Sequence, residues 1–217
     1  MSIQQIEKLL FEQWQINREG FVRDGVVSET DYLSSLPKIV LILKEVNDPN
    51  GGGWDLRKFI ADGGRPQTWD NIARWVYGIR NLTQLPNWDY FSKINNEFRI
   101  ENLKSICVIN LKKSPGTHTT NYASLEAVAN EDKDNIRKQY SIYNPDVTIC
   151  GGTGNLFKKV VGHESNEWRM TKKGIWWYER ENRKYVVSFA HPEARVQSSL
   201  LVYGLLDAIR EISKRYD

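Results

Sequence analysis

Apolar and polar positions follow two rhythms along this chain. Near the start, Ile3, Ile6, Leu9, Leu10 and Phe11 recur at helical spacing with Glu and Lys between them. That pattern predicts an amphipathic helix over 2–18. Pro37 then precedes KIVLILKEV, a continuous apolar run ending in polar residues. Such a run marks a strand buried on both faces. SICVINL (105–111) and DVTICGG (146–152) repeat it. GIWWYER and KYVVSFAHP, joined through Glu181, Asn182 and Arg183, read as a hairpin.

Helical patterns fill the intervals. Residues 55–61 begin a short helix with Asp55 as N-cap, and 68–80 form a longer one with Thr68 as N-cap. A polar helix occupies about 123–142 and stops at Asn144-Pro145. NLFKKVVG follows the glycine turn 151–154, and 196–214 is a strongly amphipathic closing helix. Strands alternating with helices predict one α/β domain over 1–217. Its architecture is three-layer α/β/α with a short, mainly parallel central sheet. No repeat, low-complexity segment or linker divides the chain.

Composition narrows the function classes. With 217 residues the core needs no disulfide or metal staple. No apolar run approaches the ~20 residues of a spanning helix, and the first residues lack a signal-peptide pattern. The expectation is a cytoplasmic protein that binds no membrane. Cys107 and Cys150 sit in apolar runs and read as strand residues. The histidines, His118, His163 and His191, show no ligand spacing, so no metal site and no cofactor are expected. The net charge of +3 permits nucleic-acid binding without arguing for it. Eight tryptophans are unusual, and about two thirds of them are expected in the core.

In a parallel sheet, ligands bind outside the carboxyl ends of the strands. Four strand-end loops therefore carry the candidate chemistry. The first offers Glu45, Asn47 and Asp48, any of which can orient a water, with Trp54 close by. The second begins at Asn110, an amide in an apolar strand that must find partners or cost ~1–3 kcal/mol. Lys112 and Lys113 then extend a small basic edge suited to phosphate. The third, GGTG, reads as a tight turn or as a backbone that can approach a phosphate at a helix N-terminus. The fourth places His191-Pro192 at a strand end, where imidazole can donate to developing negative charge.

In this order, VLILKEVNDP, CVINL, VTICGG and VVSFAHPEARVQ resemble the strand-end motifs of the uracil-DNA glycosylase superfamily. The resemblance spans about residues 38 to 212. It implies a fold of that type and hydrolysis of the N-glycosidic bond of a flipped, damaged base in DNA. By it, His191 stabilises the departing base anion and Asn110 reads the base's Watson–Crick edge. Glu45 or Asn47 positions water, with Asp48 also open because the first motif can slide. Trp54 becomes a candidate for the aromatic beside the base. Ala194, Arg195 and Val196 occupy the loop that enters the DNA groove, with Arg195 on the DNA. The rival expectations are a base- or nucleotide-binding module of the same fold without catalysis, and a hydrolase or transferase acting on a small nucleotide. The oligomeric state is left open.

Overall fold

The computed structural model describes residues 1–49, 51–181 and 183–215. Asn50 of the first strand-end loop and Asn182 of the hairpin connection lie outside the described residues.

Helix α1 (Ile3–Trp14) starts with a capping box: the Ser2 side chain accepts from Gln5 N–H, and the Gln5 side chain accepts from Ser2 N–H. It ends before the expected position because the chain turns at Asn17, whose φ is 59°. Strand β1 (Gly25–Val26) and helix α2 (Glu29–Ser34) precede β2 (Ile39–Leu43). Four helices follow: α3 (Leu56–Ala61), α4 (Pro66–Arg80), α5 (Trp88–Ser92) and α6 (Asn96–Leu103). Asp55 caps α3 as expected. Thr68 does not cap α4. That helix begins earlier, with Pro66 in its first position, where the missing N–H costs nothing. After β3 (Ile106–Asn110), the expected single polar helix is broken at Asp132 into α7 (Tyr122–Glu131) and α8 (Lys133–Tyr143). Then come β4 (Val147–Gly151), α9 (Gly154–Val160), β5 (Arg169–Met170), β6 (Trp176–Glu181), β7 (Lys184–Phe189) and α10 (Ser198–Ser213).

Among the described residues the strands form one seven-stranded sheet in the order β1-β3-β2-β4-β7-β6-β5. The inner four, β3, β2, β4 and β7, are parallel, and β1, β6 and β5 join antiparallel at the edges. The continuous apolar runs follow from cover on both faces. Alternate residues of β2 divide between two cores: Ile39, Leu41 and Leu43 face one, Val40 and Ile42 the other. The first core packs against α3, α4, α5, α6 and α10 through residues such as Leu56, Trp75, Phe91, Leu103 and Leu205. The second packs against α1, α2, α7, α8 and α9 through Phe11, Tyr32, Leu125, Tyr140 and Phe157. Each fully buried side chain of this size contributes ~1.5–3 kcal/mol. Cys107 and Cys150 are free, buried thiols in β3 and β4. Four of the eight tryptophans (14, 69, 75 and 177) are buried, fewer than the sequence suggested, and Trp176 is half exposed. None of the described helices is long and apolar enough to cross a membrane.

This topology positions a site. The chain leaves β2 toward helices on one face and leaves neighbouring β3 toward helices on the other. Where adjacent strands diverge in this way, a crevice opens at their carboxyl ends.

Candidate functional site

A cleft of about 890 Å³ lies at that crevice. The segments after β2 and β3 build its floor by continuing to pair beyond the regular strands. Leu111 N–H donates to Leu43 O (3.0 Å), Lys112 N–H to Lys44 O (3.0 Å), Gly116 N–H to Val46 O (2.9 Å) and Asp48 N–H to Gly116 O (3.2 Å). This pairing holds Glu45 and Asn47 beside the loop that follows Asn110.

The strand alternation decides the fate of each side chain. Asn110 and Lys112 fall on the cleft side, while Leu111 and Lys113 fall on the opposite side. Asn110 is 3% exposed and lines the cleft. Its backbone N–H donates to Asp24 Oδ2 (2.7 Å), yet no described residue hydrogen-bonds its carboxamide. The carboxamide itself opens on the cleft, where water or a ligand completes its hydrogen bonding. Lys112 does not extend a free basic edge. Its Nζ donates to Glu45 Oε2 (2.8 Å), and the Glu45 side chain is 5% exposed.

Lys113 requires a correction. It is not a surface cation for phosphate: the side chain is 1% exposed, with Nζ donating to both oxygens of Asp24 (2.6 and 2.7 Å) and to Gln139 Oε1 (2.8 Å). Burial pushes its ammonium below the ordinary lysine range, against the pull of Asp24. Period-two alternation, continued three residues past the end of β3, places Lys113 on the opposite side from Lys112.

The first loop sorts its three acidic or amide candidates. Asn47 is exposed on the cleft wall. Asp48 is engaged by its own loop, with Oδ2 accepting from Gly52 N–H (2.9 Å) and Trp54 Nε1–H (2.9 Å). That bond fixes the Trp54 ring, which also meets Phe59 edge to face at 5.8 Å. Glu45 packs on Gly116, where an added Cβ would sit 2.5 Å from the Glu45 carboxyl carbon. Gly116→Ala is therefore expected to displace the Glu45 carboxylate and break its bond to Lys112. Measured by nuclear magnetic resonance, the Glu45 and Lys112 side-chain signals move together in that variant. Unchanged signals would show that the loop absorbs the methyl.

His191 follows β7 and is fixed from three directions. Asn71 Nδ2 donates to Pro192 O (2.8 Å), tying the turn to α4. Arg65 and Thr68 both donate to Glu193 Oε1 (2.9 and 2.8 Å). Glu193 N–H donates to His191 Nδ1 (3.2 Å). A ring nitrogen that accepts carries no proton, so the neutral imidazole holds its hydrogen on Nε2. Burial pushes the His191 imidazolium below its ordinary value, opposed by Glu193 and reinforced by Lys44. The ring is thus neutral at pH 7, a hydrogen-bond donor on the cleft wall.

The glycine turn serves packing. Gly152 takes φ +72° and donates to Phe189 O (2.8 Å). An added Cβ at Gly154 would meet Ser188 Oγ at 2.3 Å, so glycine there lets α9 lie close on β7. Lys44 lies over this turn and above the Tyr122 ring, 4.6 Å from its centroid.

The structure thus brings Glu45, Asn47, Asp48, Trp54, Asn110 and His191 to one cleft. Lys112 stands behind Glu45, Lys113 is in the core, and Arg195 is exposed beyond the cleft. Sequence reasoning missed Phe59, Trp69 and Tyr122 among the lining residues. Phe59 and Trp69 lie within expected helices and Tyr122 just before one, so none stands in the strand-end loops on which the sequence reading centred. Among the described residues, no group of three or more His, Cys, Asp or Glu side chains is placed to hold a metal ion. No protein-family model matches the chain, and no curated protein matches it.

Proposed function

We propose that this protein is a uracil-DNA glycosylase-like N-glycosyl hydrolase acting on a flipped, damaged base. The observation that carries this reading is that the Asn110 carboxamide, which no described residue hydrogen-bonds, and the His191 ring line one cleft. An amide that both donates and accepts complements the edge of a nucleobase. A fixed neutral imidazole supplies a donor where a base leaves with negative charge. Water adds to the anomeric carbon of the sugar as the bond from that carbon to the base nitrogen breaks. The electron pair leaves with the base, and His191 stabilises the resulting anion. Glu45, held by Lys112, places a carboxylate that accepts the proton the water loses as its oxygen bonds to the anomeric carbon, and that faces the positive charge developing on the sugar; the proton then passes through solvent to the released base anion. Asn47, on the same wall, is the alternative water ligand. Extruding the base costs a few kcal/mol, least for a damaged or unpaired one.

The test is strand cleavage at abasic sites after incubation with oligonucleotides carrying uracil, hypoxanthine or a mismatch. Base release from at least one, lost in Asn110→Ala, is the expected result. Folded protein that releases none of them overturns the reading.

The Lys112–Glu45 bond favours a second reading, a binding module without turnover, because the ammonium neutralises the carboxylate. Tight binding of a base-bearing ligand that Glu45→Gln leaves unchanged, with no product, selects it. Turnover abolished by Glu45→Gln rejects it.

A further inference from the structure

We infer that the cleft takes its base from a single-stranded polynucleotide rather than from a duplex. This rests on the proposed function for the base itself and adds the class of polymer that carries it.

The first observation is the pair of exposed rings on the cleft wall. Phe59 of α3 is 42% exposed and Tyr122, at the start of α7, is 57% exposed. They come from different segments, one after β2 and the other after β3. Both rings border one cleft, which sets them apart from apolar residues scattered singly over the surface. In a duplex, the bases on either side of a flipped one stay stacked on their own neighbours and cannot reach such rings. In a single strand they are free to stack on them, and every base has a face that can do so. Lys44 over the Tyr122 ring adds a cation beside that platform.

The second observation is charge. The cleft wall carries Lys44 and Arg65 against Glu45, Asp48 and Glu193. Arg65 is consumed by Glu193. Among the described residues, Lys44 has no carboxylate partner. A wall of this kind lacks the row of cations that grips two phosphate strands, and affinity from phosphate contacts scales with their number. One or two contacts suit a strand held mainly by stacking.

The third observation is size. A cleft of about 890 Å³ lies near the top of the ~300–1,000 Å³ range for ligand sites. It has room for more than one ring system.

The experiment measures binding and base release on one oligonucleotide carrying the lesion, single-stranded and annealed to its complement. Lesion-free DNA, RNA of the same sequence and the free nucleoside monophosphate run beside it. The expected result is at least tenfold tighter binding of the single strand. Tyr122→Ala should weaken that binding by about ten- to a hundredfold, while Tyr122→Phe keeps it. Its exposure leaves the fold intact on truncation, which thermal unfolding verifies. The salt dependence should be shallow, with a log–log slope of about −1.4 for two phosphate contacts on a single strand. Preference for DNA or for RNA identifies the polymer, and either supports the inference. Duplex binding equal to or tighter than the single strand overturns it, as does a monophosphate that competes as well as the oligonucleotide. Single-strand binding that depends on Tyr122 but yields no free base leaves this inference standing and removes the hydrolase. Base release from duplex alone does the reverse.

Discussion

Lys113→Met is expected to lower the stability of the fold by about 3–5 kcal/mol, because it leaves the Asp24 carboxylate buried without its cation. Methionine keeps the side-chain stem against the Phe11 and Trp14 rings, which the ammonium overlies at 5.9 and 4.9 Å. The loss therefore reports the charge and not the packing. For a chain of this length it corresponds to a fall of roughly 6–20 °C in melting temperature. The partner variant separates mechanism from mere damage. Asp24→Asn combined with Lys113→Met removes both charges and leaves an amide that still accepts from Asn110 N–H. The double variant should be more stable than Lys113→Met alone. If the two substitutions simply add, the pair is not coupled and the explanation fails.

The pair matters to the site because of what else Asp24 holds. Its Oδ2 accepts from the Asn110 backbone, and its Oδ1 accepts from Gln139 Nε2 (2.7 Å). Gln139 also donates to Tyr143 Oη (3.1 Å), and Tyr143 donates to Glu7 Oε1 (2.7 Å). Arg57 bridges Glu7 to Asp55, the cap of α3. Burial pushes the Glu7 carboxyl up, opposed by its bonds to Tyr143, Val26 and Arg57. One connected polar network thus runs beneath the end of β3 to the helix that carries Phe59. Such networks rigidify what they touch only when every member is satisfied. Lys113→Met should accordingly loosen the backbone at Asn110 as well as lower the melting temperature.

The legible parts of this structure were those written in local patterns. Continuous apolar runs marked β2, β3 and β4 because two-sided burial leaves no other composition for a parallel strand, and the hairpin pattern marked β6 and β7. The strand-end rule then located the crevice, and Glu45, Asn47, Asn110 and His191 do line it. What stayed hidden depends on contacts distant in sequence. The two-residue strand β1 exists through its pairing with β3, and its pattern is too short to read. The break at Asp132 is invisible because both halves of the helix are polar; Arg18, more than a hundred residues away, is the side chain bound there. Alternation puts Lys112 and Lys113 on opposite faces, but the far partners Glu45 and Asp24 decide what each ammonium does there.

Under the proposed base excision, His191→Ala is expected to reduce kcat for base release by about 10²–10³-fold, the usual cost of removing one well-placed donor to developing charge. KM should change far less, because the donor acts chiefly on the leaving anion and not on the bound base. His191→Asn, which offers both an acceptor and a donor, should lose less. The pH profile adds a readout that a merely structural role would not move. Protonation of the neutral ring must occur at Nδ1, where it confronts the Glu193 N–H and breaks the bond that orients the imidazole. The folded pKa is lowered from 6.5, so the folded protein takes up this proton less readily than the unfolded chain. The associated stability is therefore complete above about 6.5 and is lost as pH falls through the lowered folded value. Activity should follow the same course, flat from neutral pH upward and declining only on the acid side. His191→Ala should show a lower rate without that acid limb. An acid limb that survives in the variant would assign the titration to another group and take His191 out of the chemical step.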